Sequence, residues 1–144
     1  MKLHFGIDKQ PLNGFINIDP TKQRINFGDL NPICEASEAK TIIINEMLNY
    51  VDINNIPQVL QSILTRLRHK GVVTIIFTDV HEVGRTIKTG GIDIVNALVF
   101  GKGQARKQSL FGMKQVIDIL KGTGLNILSK EVSDCTVTIK AQRP

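Results

Sequence analysis

The chain has 144 residues, a length typical of one domain, and 42% of them are hydrophobic while 22% are charged. Such a chain can bury a core of its own, and its composition is that of an ordinary soluble protein. No apolar run approaches the roughly 20 residues of a membrane span, and the N-terminus lacks a signal-peptide pattern. We therefore expect a cytoplasmic location and no membrane partner.

The net charge, the aromatic residues and the cysteines limit which partners and which metal sites we expect. The formal net charge of +5 is compatible with an anionic partner but does not require one. With one Tyr and no Trp, stacking platforms for single-stranded nucleic acid are scarce. Cys34 and Cys135 are far apart and match no metal spacing, so we expect reduced thiols. We expect no metal site, because neither a Cys/His cluster nor paired carboxylates at ligand spacing occur.

Short apolar segments predict the strands of the first half. Residues 2–5 and 15–18 form two such segments, and the loop between them is too short for a full helix. A further short strand is predicted at residues 24–27. Residues 41–44 are β-branched without alternation, which is typical of a central strand that is covered on both faces.

Helical and strand patterns alternate in the second half. The clearest helix is predicted over residues 56–69, where apolar residues recur on one face, and a buried strand follows at 72–77. Helices are also predicted at 92–100, with Ile94, Val95, Leu98 and Val99 inward, and at 109–121, with Ser109 as its cap. Strands at 125–132 and 136–140 are joined tightly at Ser133-Asp134 and predict an antiparallel hairpin.

This order of elements predicts the fold class. Helical crossovers between strands imply a mostly parallel sheet with helices on its faces. We therefore predict one domain over residues 1–144, a Rossmann-like three-layer α/β sandwich with an antiparallel C-terminal hairpin.

The first 30 residues carry the strongest functional signal. The first strand ends in Gly6, which allows a ligand close to the backbone, and the second ends in Asp19, which can bind a ribose diol. Alternatively, Asp19 belongs to an ordinary Asp-Pro turn. Asp29 follows Gly28 and is either part of a ligand-binding loop or an ordinary loop acid.

This pattern resembles the class I S-adenosylmethionine-dependent methyltransferases over nearly the whole chain. Five segments carry the resemblance: His4-Phe5-Gly6, the Pro11 and Gly14 loop into Phe15-Ile16-Asn17-Ile18-Asp19, Gly28-Asp29-Leu30, Glu46 to Val51, and Leu67 to Val73. The last helix with Gly124 and the terminal hairpin fit as well. The resemblance implies S-adenosylmethionine as cofactor, held by Gly6, Asp8, Asp19, Asp29 and Glu46.

Two departures from the family motif bear on activity. After the family's fourth strand, Glu46, Asn49 and Tyr50 replace the His and Glu of the family segment. The family turn reads Gly-Cys-Gly, whereas this chain has Gly6-Ile7-Asp8. A side chain at the second glycine position limits positive φ and places a carboxylate beside a ligand that also carries one. The leading hypothesis is a methyltransferase or close relative, for which the resemblance suggests a small-molecule or glycan-like acceptor. The alternative is a non-catalytic binding or assembly subunit, and a homo-oligomer is compatible with the sequence.

No catalytic residue is assigned from the sequence. Asp79 and His81 form either an acid–base pair or a helix cap with a solvated imidazole. Lys102, Arg106 and Lys107 either hold a phosphate or belong to a solvated loop. Hydrolase and nucleotide-kinase functions lack support, because neither a Gly-x-Ser-x-Gly elbow nor a P-loop is present.

Overall fold

The structure is a computed structural model that describes residues 1–144. The chain forms six strands and four α-helices, and a single 3-10 turn spans Leu48–Tyr50. In chain order the elements are β1 (Lys2–Gly6), β2 (Ile16–Ile18), β3 (Ala39–Asn45), α1 (Ile56–Leu64), β4 (Leu67–Thr78), α2 (Val80–Ile87), α3 (Ile92–Phe100), α4 (Met113–Gly122), β5 (Asn126–Ser133) and β6 (Thr136–Gln142).

All strands belong to one sheet of order β2-β1-β3-β4-β6-β5. β2, β1, β3 and β4 pair in parallel, whereas β6 runs antiparallel to both β4 and β5. The terminal hairpin turns at Asp134, whose φ of 54° is left-handed, a conformation that Asp tolerates. The predicted α/β class, with a mostly parallel sheet and an antiparallel final hairpin, is confirmed.

One face of the sheet packs against α1 and α4. A single cluster of 27 buried residues joins these two helices to alternate residues of the strands, including Phe5, Ile44 and Ile75. On the opposite face, Ile43 and Ile76 of the central strands remain half-buried. The layer on that face is incomplete, because no helix forms in the connections from β1 to β2 and from β2 to β3.

The helix predicted over residues 56–69 is correct at its start and wrong at its end. Its apolar face is buried as expected, but the helix ends at Leu64, and Leu67 begins β4. Leu67 is fully buried, so it completes the helical pattern of apolar residues although its backbone is extended. Its partner in the sheet is Ala39, and long-range pairing therefore overrides the local periodicity.

Three smaller expectations are also wrong. Residues 24–27 form no strand. Helix α4 begins at Met113 rather than after Ser109, because the buried Ser109 hydroxyl donates to the Leu48 carbonyl instead of capping a helix. Helix α3 has the predicted bounds, but its expected burial is only partial: Val95, Leu98 and Val99 are half-buried, and Ile94 is 56% exposed.

Both cysteines are free and buried, in agreement with the expected thiols. None of the four helices combines the length and the apolar character that a membrane crossing requires.

Candidate functional site

A cleft of about 740 Å³ opens where the parallel strands end. Gly6 of β1 pairs with Asn45 of β3, so the residues that follow them, Ile7-Asp8 and Glu46, lie side by side. The chain leaves β1 toward β2 on one side and leaves β3 toward β4 on the other. Ligands of open α/β sheets bind at such a reversal of strand order. The cleft therefore lies where this architecture positions a ligand.

Asp8 forms one wall of the cleft and retains the backbone of a glycine turn. Its φ is 53°, in the left-handed region that Gly, Asn and Asp adopt most readily. Its carboxylate is half-exposed and lies 3.4 Å from the Lys22 ammonium. On its other side the carboxylate lies against Gly103, where an added Cβ would come within 2.8 Å of Oδ2. The side chain thus bridges the β1 turn and the loop that crosses the cleft.

Asp19 is held beside this turn at the end of β2. Its Oδ2 accepts the backbone N–H of Asp8 at 3.0 Å, and its Oδ1 accepts both the N–H and the hydroxyl of Thr21. Partial burial alone would raise the pKa of Asp19. The hydrogen bonds from Thr21 and Asp8, together with the Lys22 charge, outweigh that effect and lower the pKa below 3.8. Asp19 is therefore an ionised acceptor, and three of its roughly four acceptor positions are in use.

Glu46 follows β3 and lies beside the β1 turn. It also has a left-handed backbone, with a φ of 59°, and its carboxylate pairs with the Lys9 ammonium at 2.5 Å. Strained non-glycine residues are typical of functional sites, and here two of them flank one cleft. Nearby, burial and the negative charge of Glu46 raise the pKa of Tyr50, so its phenol stays protonated at neutral pH.

Residues 101–108 form a loop that closes the far side of the cleft. Asn49, which is fully buried, fixes this loop, because its carbonyl accepts the N–H groups of Gln108 and Ser109. The side chain of Asn49 also bonds both backbone groups of Thr78, the last residue of β4. In the sequence Asn49 is only one of the residues that depart from the family segment. Its structural role depends on contacts with distant residues, which have no distinctive sequence pattern.

Lys107 is the loop residue that enters the cleft. Its ammonium group donates to the Thr78 hydroxyl at 2.9 Å and to the Leu98 carbonyl at 3.1 Å. Burial lowers the pKa of Lys107, although the opposite charge of Glu46 acts against the shift. In the sequence Lys107 was not distinguished from its neighbours Lys102 and Arg106, both of which are exposed.

A smaller apolar cavity of about 340 Å³ adjoins the cleft and shares Ile7 and Tyr50 with it. Its other apolar lining residues are Pro20, Phe27, Met47, Val51 and Ala105, of which Ala105 also comes from the closing loop. Together the two cavities comprise a cleft in which six charged side chains lie beside the apolar residues of α3, and a smaller cavity that mostly apolar residues line. This division suits a ligand with one charged end and one flat, weakly polar end.

The predicted cofactor residues are distributed unevenly around this site. Asp8 and Glu46 line the cleft, while Gly6 and Asp19 line a shallower polar pocket on the other side of Lys9. Asp29 lines none of the three cavities described above. It is exposed in the loop before β3, where its carboxylate accepts the N–H of Asn31.

Asp79 has a structural role. It is buried, and its carboxylate accepts the N–H groups of His81 and Glu82 at the start of α2 and that of Met113 at the start of α4. The imidazole of His81 is exposed. Asp79 and His81 were expected to form either an acid–base pair or a helix cap with a solvated imidazole, and the structure supports the helix cap.

The residues of the β1 turn fit an S-adenosylmethionine molecule in part. The left-handed turn, the ionised carboxylate of Asp19 and the apolar cavity supply the groups that such a ligand needs. The Asp8 side chain and the Lys9–Glu46 ion pair narrow the entrance.

Several solved structures with this architecture are methyltransferases. An O-methyltransferase family protein from Burkholderia thailandensis superposes with a TM-score of 0.62 at 14% identity, over 90% of this chain and 36% of its own. Magnesium protoporphyrin IX methyltransferase from Synechocystis PCC 6803, solved with bound S-adenosylhomocysteine, gives 0.58 at 12% identity, over 92% and 52%. A Thermotoga maritima S-adenosylmethionine-dependent methyltransferase, described as a possible histamine N-methyltransferase, gives 0.59 at 10% identity, over 91% and 65%.

No family model matches the sequence, and no curated protein is significantly similar to it. This chain spans between about a third and two thirds of the length of the three structures named above. At these identities the comparison concerns the fold. The chain has the α/β fold of the class I S-adenosylmethionine-dependent methyltransferases.

Proposed function

We propose that this protein binds S-adenosylmethionine at the cleft and acts as a methyltransferase. The observation that carries the proposal is the β1 turn: Asp8 keeps the left-handed backbone of a glycine and donates its N–H to the Asp19 carboxylate. This arrangement stands at the reversal of strand order, where nucleoside ligands of such sheets bind.

Each part of the site has a role in this proposal. Asp19 would accept a ribose hydroxyl through its remaining acceptor position, and the apolar cavity beside Tyr50 would hold the adenine. Glu46 would lie nearest the cationic part of the ligand, and Asp8 would face the ligand carboxylate. The cofactor supplies an electrophilic methyl group, so the protein's contribution is to orient the acceptor and to exclude water.

A second candidate function follows from the closure of the same site. The Lys9–Glu46 ion pair joins the ends of β1 and β3, and the Asp8 carboxylate lies directly on Gly103 of the closing loop. If these contacts persist in solution, the chain keeps the fold as a binding or assembly subunit and has no access for the cofactor.

Isothermal titration calorimetry of the purified chain with S-adenosylmethionine and S-adenosylhomocysteine separates the two candidates. We expect binding of both, with Asp19→Ala weakening it by about 1–3 kcal/mol through loss of an ionised acceptor. Asp29→Ala is the matched control, because it removes an exposed carboxylate that lines neither the cleft, nor the apolar cavity, nor the pocket beside Gly6 and Asp19. Absence of heat with both ligands and a folded protein would leave the non-catalytic function.

A further inference from the structure

Two features of the cleft have no role in the cofactor site proposed above. The first is Lys107, a half-buried ammonium group that uses two of its three N–H donors on neutral oxygens and forms no ion pair. In contrast, Glu46 is paired with Lys9 and Asp8 with Lys22. A partly desolvated charge without a counter-ion is costly, and an anion beside it would relieve that cost.

The second feature is helix α3. Its sequence, Ile-Asp-Ile-Val-Asn-Ala-Leu-Val-Phe, is apolar on nearly all sides, yet none of its residues is buried. Ile94 is 56% exposed and lines the cleft together with Ala97 and Leu98. A continuous apolar surface of this kind is typical of a ligand-binding or partner-binding site. The apolar surface of α3 and the Lys107 ammonium meet in one cavity, since Lys107 is bonded to the Leu98 carbonyl.

The charge balance of the cleft limits the anion to a single negative charge. Three carboxylates and three ammonium groups line it, so its formal net charge is zero; they are Asp8, Glu46, Asp93, Lys9, Lys102 and Lys107. Once one negative charge of a ligand has paired with Lys107, three carboxylates and two ammonium groups remain in the lining. The second negative charge of a dianion such as a phosphate monoester would therefore meet net repulsion. The cleft volume of about 740 Å³ is that of a small-molecule site.

We propose that the cleft binds a small monocarboxylic acid with an apolar chain, its carboxylate on Lys107 and its chain against Ile94, Ala97 and Leu98. This inference goes beyond the proposed function, because it concerns a second ligand whose binding needs no cofactor. If the proposed function also holds, the acid occupies the acceptor side of the cleft, opposite Asp8 and Glu46.

The test uses three probes on the full chain without cofactor: octanoate, 1-octanol and acetate. Octanoate has the charge and the chain, 1-octanol has the chain alone, and acetate has the charge alone. A charge-assisted hydrogen bond predicts that octanoate binds about ten- to a hundredfold more tightly than 1-octanol. Acetate should bind more weakly than octanoate, because it leaves α3 uncovered. Equal affinities for octanoate and 1-octanol would overturn the proposal without any variant.

Two matched pairs of variants locate the ligand. Lys107→Met should remove the preference for octanoate over 1-octanol, whereas Lys121→Met, an exposed lysine at the end of α4 that lies outside the cleft, should leave it unchanged. Ile94→Asn should lower the affinity for both octanoate and 1-octanol. Ile92 is 77% exposed and lies outside the cleft, so Ile92→Asn should lower neither affinity. A folded Lys107→Met protein that still prefers octanoate would contradict the assignment. All of these readouts are independent of S-adenosylmethionine, so failure of one proposal leaves the other standing.

Discussion

Replacement of Asp8 by glycine tests the reasoning about the β1 turn. A left-handed residue other than glycine costs about 1–2 kcal/mol, less for Asp, and Asp8 has a φ of 53°. Glycine removes that strain but adds about 0.4–1 kcal/mol of chain entropy to the unfolded state. The substitution also removes the ion pair between Asp8 and Lys22. This pair is at least half-exposed, so its loss lowers the free energy of unfolding by at most about 1 kcal/mol. We expect Asp8→Gly to leave the free energy of unfolding within about 1 kcal/mol of the natural chain.

Asp8→Ala is the matched control, because it also removes the carboxylate but retains a Cβ in the strained region. We expect it to be about 1 kcal/mol less stable than Asp8→Gly, as measured by chemical denaturation. A glycine variant that is the less stable of the two would show that the turn is not left-handed in solution.

The same pair of variants tests the site. Removing a carboxylate that faces the ligand carboxylate at about 4 Å in a water-like dielectric relieves about 1 kcal/mol, which is about fivefold in affinity. We therefore expect both variants to bind S-adenosylhomocysteine more tightly than the natural chain does. The larger gain is expected for glycine, which also widens the entrance beside Gly103. Unchanged affinity in both variants, with measurable binding by the natural chain, would refute the role given to Asp8.

Three further predictions concern the groups that position the site. Asp79→Ala should lower the free energy of unfolding by about 2–4 kcal/mol in denaturant, because three backbone N–H groups lose their acceptor, while the exposed His81→Ala should change it little. Asn49→Ala should cost about 2–4 kcal/mol in the same assay, because the side chain holds both backbone groups of Thr78. The pKa of Asp19 is lowered in the folded state, so its contribution to stability is complete above about 3.8 and is lost as the pH falls through the lower, folded value. Thr21→Ala removes one hydrogen bond to that carboxylate, and an NMR titration should show the pKa of Asp19 closer to 3.8.

The sheet could be predicted from the sequence because its strands are short apolar runs with clear ends. The β-branched run at 41–44 and the buried run at 72–77 lie within the two central strands, and the tight connection at Asp134 forms the antiparallel hairpin. The end of α1 could not be predicted, because Leu67 is buried whether its backbone is helical or extended. Only the pairing with Ala39, 28 positions earlier, decides between the two.

The site could be predicted only in part, for a related reason. The ends of strands are visible in the sequence. Gly6 is the last residue of β1, and Asp8 and Asp19 come just after the ends of β1 and β2. Lys107 acquires its role from tertiary contacts to Thr78 and Leu98, which no local pattern indicates. Helix α3 shows the opposite case, since its apolar residues predicted burial, but only α2 packs against it and none of its residues is fully buried.

Mapping the binding site of S-adenosylhomocysteine by 1H–15N NMR titration tests the central claim most directly. The account predicts that the amide signals shifted most belong to the β1 turn and the end of β3, namely Ile7, Asp8, Glu46 and Tyr50, with smaller shifts at Ala105 and Lys107. The amide of Asp29, which lines neither cavity, should remain unchanged. Saturating ligand that shifts no amide of the β1 turn, or that shifts only residues away from the strand ends, would contradict the account.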